Sequence, residues 1–294
     1  MKAYQYCLSI DKRDGLPRLT ADKMSGNEQD RLTDELTLSA AWVRAAHAMS
    51  GLAAAKDLPG RERRRGSTAA ADLAAIASGA STPEQTSATL DRLMTSPYLT
   101  RWGLRSKPST APDYDPTSYA KGSVWAHATA AAAEMMWQAH RSDAANTLWQ
   151  SLVPWDSADS LGHMHEVMSG NFFTPQRESV PEQTWSSSAF LSAAIHGMLG
   201  LEPDGRNNVL HFTPQVPTSW QSLNIAHIKV GKSVVDLDWH SENGHFILDL
   251  KNVGPMFHLS WTQTEARQNA IAPAFLERDI MPGNTRVSLP RICQ

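Results

Sequence analysis

The sequence predicts a mainly α chain, an array of helical hairpins followed by a small antiparallel β module. Up to Gly200 the chain is built from Ala-, Leu- and Met-rich segments with apolar residues at helical spacing, whereas beyond it runs of alternating and β-branched residues take over. Asn243-Gly244 lies between Val234–Trp239 and His245–Leu248, and a two-residue turn of that kind, in which both positions need positive φ, joins antiparallel strands. The composition change divides the chain into a helical portion, 1–202, and a β module, 203–294, with Pro203, Pro214 and Pro217 in the connecting segments.

Helices are expected over about 29–56, 67–78, 83–95, 121–141, 143–153 and 184–199. Thr82 precedes Pro83 at a first helical position, with Glu84 in the first turn, and Gly200 follows Leu199 as a C-terminal cap. In the helix after Gly122, the residues Val124, Ala128, Ala131, Ala132, Met135 and Met136 share one face, so that side is core. Strands are expected over roughly 208–213, 223–230, 233–240, 245–250, 256–262 and 285–289.

The 294 residues are 41% hydrophobic and 19% charged, the balance of a globular chain long enough for a large core or two domains. A net charge of -3 gives no electrostatic reason to expect nucleic acid or an anionic membrane as a partner, and the basic run Arg61–Arg65 is short. No segment approaches the roughly 18 apolar residues of a membrane span, and the start lacks the apolar core of a signal peptide. The chain therefore reads as soluble and cytoplasmic by default, with a periplasmic or secreted location open if sequence precedes Met1. Cys7 and Cys293 fit neither a disulfide framework nor a metal-ligand spacing. His163 and His165 form an H-x-H pair without a third spaced ligand, so neither a metal nor any other cofactor is expected.

Loops between helices carry the residues with chemistry, because their backbone must stay near water. One carries Trp102 and Arg105, a second Tyr119 and Trp125, and a third Glu166, then Glu182 and Gln183, just ahead of a helix headed by Trp185. Aromatic rings pack against the C–H faces of a pyranose while charged and amide groups pair with its hydroxyls, so the set suits a saccharide. Each Trp also has a packing role open to it, and Glu166 reads equally as a loop carboxylate or a helix cap. The serines at 186–188 form no G-x-S-x-G elbow, and neither a G-x-x-x-x-G-K-[ST] loop nor a G-x-G-x-x-G after a strand is present. A lyase acting on uronates would call for Tyr, His and Arg, which Tyr119, His127 and Arg105 imitate only loosely.

In order along the chain stand Trp102-Gly103-Leu104-Arg105, Tyr114-Asp115-Pro116-Thr117-Ser118-Tyr119, Gly122-Ser123-Val124-Trp125, Gly162–Gly170 with Glu166 inside it, and Val180-Pro181-Glu182-Gln183-Thr184-Trp185-Ser186. This series resembles the C-terminal half of bacterial amylo-α-1,6-glucosidase (glycogen-debranching-like) glycoside hydrolases, over about 91–238. The resemblance implies part of an (α/α)6 toroid, the six-hairpin glycosidase architecture, followed by a β module. It implies hydrolysis of an α-glucosidic or related oligosaccharide bond, with Glu166 as general base and Trp102, Arg105, Tyr119, Trp125, Glu182, Gln183 and Trp185 on the substrate. It also implies inversion, with a second carboxyl roughly 6.5–9.5 Å away protonating the leaving oxygen. Where the family reads Tyr-His-x-Gly-Ser-Val-Trp-Pro, this chain has Ala120 and Ala126 in place of the His and the Pro, and Glu182 stands where His is common. Six helices are about half of the roughly twelve in a closed toroid, so the general acid is expected upstream of Met1, on a missing N-terminal half. The alternative is a carbohydrate-binding or structural remnant that lacks the acid.

Overall fold

The structure is a computed structural model that describes residues 69–79, 81–158, 162–217, 219–266 and 271–291, together with a short antiparallel pairing of β1 (Lys12–Arg13) with β2 (Leu16–Pro17). The helix expected over 29–56, the basic run 61–65 and both cysteines lie outside the described residues. The expectation of a mainly α toroid is overturned. Among the described residues there are five α-helices, and strands account for as much of the fold as helices do. Two long connections are responsible: 94–123 is shaped by turns and two-residue strands, and the described parts of 153–183 hold a 3-10 helix (Val153–Ser157), turns and one two-residue strand, where an array of hairpins would need α-helix.

The chain divides into two compact units, one of residues 1–132 and 151–189, the other of 133–150 and 190–294. In the first, α1 (Ala69–Ala77) and α2 (Pro83–Leu93) are joined by an ion pair between Asp72 and Arg92. Helix α2 begins with a capping box. The Thr82 hydroxyl accepts from the Gln85 N–H at 3.2 Å and the Gln85 side chain accepts from the Thr82 N–H at 3.1 Å, so the first-turn donors are satisfied reciprocally. Four short strands follow, β3 (Leu99–Thr100), β4 (Gly103–Leu104), β5 (Val124–Trp125) and β6 (Val167–Met168). Strand β5 pairs with β6, and Arg105 bridges to Val124, so three loops meet along one small ladder.

Helix α3 (Ala126–Gln138) runs shorter than the span expected from the sequence, α4 (Ser142–Leu152) has its expected length one residue earlier, and α5 (Thr184–Ser192) is shorter and continues as a π-helical turn over Ala193–Met198. In the second unit Gly197, on that turn, packs directly against the buried Trp137 ring, leaving no room for a side chain. Trp149 stacks on Phe190 at 4.5 Å.

Most of the second unit is a β-sandwich. One sheet has the order β14-β11-β10-β9 and the other β13-β12-β8-β7, formed by β7 (Leu201–Asp204), β8 (Val209–Phe212), β9 (Ser222–Val230), β10 (Ser233–Glu242), β11 (His245–Val253), β12 (Phe257–Ala266), β13 (Ile271–Ile280) and β14 (Gly283–Pro290). Alternation along β10 sends Val235, Leu237 and Trp239 inward, where they join Phe212, Leu248, Leu259 and Trp261 in one core. Only the β8–β12 pairing is parallel among the described pairings. Asn243 and Gly244 take φ of 48° and 75°, the left-handed pair of a type I′ hairpin between β10 and β11.

Candidate active site

Strand register assembles the site. Trp125 lies opposite Val167, which puts Glu166 one residue beyond the ladder, and the Glu166 N–H donates to Val180 O at 2.9 Å. The Gln183 N–H donates to Met164 O at 2.9 Å, so the segment leading into α5 is tied to the stretch that carries Glu166 into β6. Across from it, the loop 114–122 is pressed onto Gly170: a Cβ on Gly122 would meet the Asp115 carbonyl oxygen and the Tyr114 ring at 2.6 Å each, and a Cβ on Gly170 would overlap the Gly122 carbonyl oxygen. Neither glycine has positive φ. They are needed for the missing side chain, not for a turn.

That contact delivers Tyr119 to Glu166. The phenol donates to Glu166 Oε1 at 2.6 Å, the short distance typical of a hydrogen bond to a charged oxygen. The Tyr119 ring is itself held edge-on to Trp125 at 4.3 Å, and the Trp125 indole N–H donates to Tyr119 O at 3.0 Å and Ser123 Oγ at 3.1 Å. The chain Trp125–Tyr119–Glu166 therefore fixes both the position and the rotation of the carboxylate. On the other side of Trp125 stands His127, 5.3 Å away, and beyond it Trp185 at 6.0 Å, a ring that is 70% exposed. Burial pushes the His127 imidazole below its ordinary pKa, with the Glu166 carboxylate pulling the other way, so the ring is neutral at neutral pH.

The structure thus brings together Glu166, Tyr119, Trp125 and Trp185, with His127 as the connecting ring that the sequence did not single out for this place. Its signal was positional: His127 follows Trp125 by two residues, where β5 turns into α3. Other expected site residues serve the scaffold. Arg105 Nε donates to Gly170 O at 2.9 Å and to the Tyr114 hydroxyl at 3.1 Å, and Nη1 donates to Ser96 O at 3.0 Å and Pro97 O at 3.2 Å. Trp102 donates to Ser169 O at 3.0 Å and accepts from the Trp155 indole at 3.0 Å. Gln183 turns its side-chain oxygen to the Trp185 N–H at 3.4 Å, at the start of α5, and Glu182 is exposed beside it. His165 is buried with Nδ1 3.3 Å from Ser179 Oγ, His163 is exposed, and the described residues form no metal-binding cluster.

No protein-family model matches the chain, and no curated protein matches it. Among solved structures it is similar to one titled "Putative kojibiose phosphorylase from human microbiome", at 10% identity and a TM-score of 0.29, over 54% of this chain and 20% of that one. The chain thus spans about a fifth of the length of that protein. Among the described residues no helix is long and apolar enough to cross a membrane.

Proposed function

We propose that this chain carries the water-activating half of a glycosidic-bond hydrolase, with Glu166 as general base and a neutral oligosaccharide, α-glucosidic or related, as substrate. The Tyr119–Glu166 hydrogen bond at 2.6 Å carries the reading. A carboxylate that takes a proton from water must be aimed as well as basic, and the phenol occupies Oε1 so that Oε2 is left for the water. Tyr119 acts through Glu166 and is a positioning residue. The exposed face of Trp185 is the surface on which a pyranose would pack. Attack by the activated water on the anomeric carbon, with a separate acid protonating the leaving oxygen, inverts the configuration. That acid is assigned to no residue of this chain.

That no general acid is assigned among the described residues favours the second reading, a carbohydrate-binding module without turnover. A uronate lyase finds less support, because the cation it would use, Arg105, spends its guanidinium on backbone carbonyls. Hydrolysis of aryl α-glucosides and malto-oligosaccharides by wild type and Glu166→Gln separates the first two. Removing the base is expected to lower kcat by roughly 10²–10⁴-fold. Tyr119→Phe, which loses one bond to a charged group worth about 1.5–3 kcal/mol, is expected to lower kcat by roughly 10–100-fold with KM nearly unchanged. A wild-type chain that binds saccharide without cleaving it leaves only the binding module.

A further inference from the structure

His127 has the hydrogen-bonding capacity of the site that nothing else uses. Tyr119 spends its hydroxyl proton on Glu166, the Trp125 indole N–H is shared between Tyr119 O and Ser123 Oγ, and Gln183 turns back to its own helix. The His127 ring, by contrast, is held by aromatic edges alone, 5.3 Å from Trp125 and 6.0 Å from Trp185, and makes no hydrogen bond to a described residue. Its nitrogens are not sealed in the interior either, unlike Nδ1 of His140, which is buried and unpaired. A neutral imidazole offers one donor and one acceptor. A sugar hydroxyl is its natural complement, since it also donates once and accepts; an imidazolium or a lysine would only donate.

We propose that His127 is the hydroxyl-reading residue of this site, selecting a neutral hexopyranoside whose C–H face packs on Trp185 and one of whose ring hydroxyls bonds the imidazole. The inference rests on the carbohydrate reading of the site but not on turnover. The neutral state of the ring and the carboxylate beside it both disfavour an anionic sugar. The aromatic contacts on two sides fix the ring plane, so a hydroxyl on one ring carbon is met and those on the others are not.

The test is calorimetric titration of the full chain with methyl α-D-glucopyranoside and its 2-, 3-, 4- and 6-deoxy analogues, for wild type, His127→Phe and His127→Gln. Phenylalanine keeps the contacts with Trp125 and Trp185 and removes the hydrogen bonds; glutamine restores a donor and an acceptor. Wild type is expected to bind one deoxy analogue about tenfold more weakly than the parent, the loss of one hydrogen bond whose partner stays behind. His127→Phe should weaken the parent by a similar factor and erase that one discrimination, and His127→Gln should restore part of it. Discrimination that persists in His127→Phe, parent binding that the substitution leaves unchanged, or a wild type that binds none of the five sugars overturns the proposal. If His127→Phe loses its near-ultraviolet dichroism, the glutamine variant decides by the same criterion. Discrimination through His127 in a chain that cleaves nothing supports this inference while ending the hydrolytic reading. Cleavage that depends on Glu166 with discrimination untouched by His127→Phe does the reverse.

Discussion

Gly122→Ala puts a methyl group inside the 114–122 loop that carries Tyr119. Its Cβ would lie 2.6 Å from the Asp115 carbonyl oxygen, 2.6 Å from the Tyr114 ring and 2.9 Å from the Asp115 carbonyl carbon. Relaxed contacts fall at about 3.5 Å, so the loop 114–121 must retreat by about 1 Å. Two hydrogen bonds oppose that retreat, Gly170 N–H to Pro116 O at 2.9 Å and Gln176 Nε2 to Pro116 O at 3.2 Å. Forced overpacking costs about 1–3 kcal/mol, and weakening one of these bonds adds about 1 kcal/mol, for a total of roughly 2–4 kcal/mol. Gly79→Ala is the control. At φ of 71° with no atom within 4 Å of its Cβ, it carries only the backbone cost of a left-handed residue, about 1–2 kcal/mol. Urea unfolding followed by tryptophan fluorescence measures both, with the slope required to stay constant so that the shift in midpoint reads as stability. Because Tyr119 stands three residues before Gly122, saccharide affinity should fall with stability in Gly122→Ala and stay at the wild-type value in Gly79→Ala. A Gly122→Ala chain within about 0.5 kcal/mol of wild type would refute the claim that tight closure of the 114–122 loop holds the site.

Two further outcomes concern the second unit. His140 ends α3 at φ of 57°, with its own N–H on Trp137 O and that of Arg141 on Met136 O, both at 2.8 Å, so a glycine there removes left-handed strain and a buried unpaired nitrogen together. His140→Gly is expected to stabilise by about 1 kcal/mol, read as a rise in Tm of roughly 2–4 °C; a fall in Tm would contradict it. On β12, His258 places Nδ1 2.8 Å from Asp279 and Nε2 2.7 Å from Glu277, and these hydrogen bonds, Asp279 first, raise its pKa above the ordinary value. A raised folded pKa means the contribution is complete below the unfolded value of about 6.5 and disappears as pH rises through the folded value. The stability advantage of wild type over His258→Gln should therefore shrink between about pH 6 and pH 9. An advantage equal at both pH values would show that His258 is not titrating against these carboxylates.

Local signals were legible where the chemistry is local. Thr82-Pro83-Glu84 marks the start of α2 because a helix start depends on adjacent residues, and Asn243-Gly244 marks its hairpin because the turn is two residues long. The assembly of helices was not legible. Segments rich in Ala and Met show that a face is buried but not what buries it, and a two-residue strand such as Val124–Trp125 has no period to detect. Strand β13 stands outside the expected strands: it carries Pro273 and the charged run Glu277-Arg278-Asp279, which break the strand pattern, and its backbone partners come from the pairing with β12.

The candidate site divides along the same line. Residue types that suit a saccharide were readable, but Arg105 and Trp102 have the same composition signal as Trp185 and differ only in where their donors go. A loop-rich segment leaves many carbonyls without a helix or sheet partner, and a guanidinium with five donors is the side chain best able to satisfy several at once. Arg105 is therefore drawn into the scaffold by the very loops that made it look like a ligand. Tyr119 and Glu166, 47 residues apart, meet where Gly122 lets the 114–122 loop close tightly on itself and Gly170 lets that loop touch the next. The geometry of the carboxylate is set by two side chains that are absent, and for that reason a substitution at either glycine tests the site more severely than one at Trp102, whose indole bonds a carbonyl that stays in place without it.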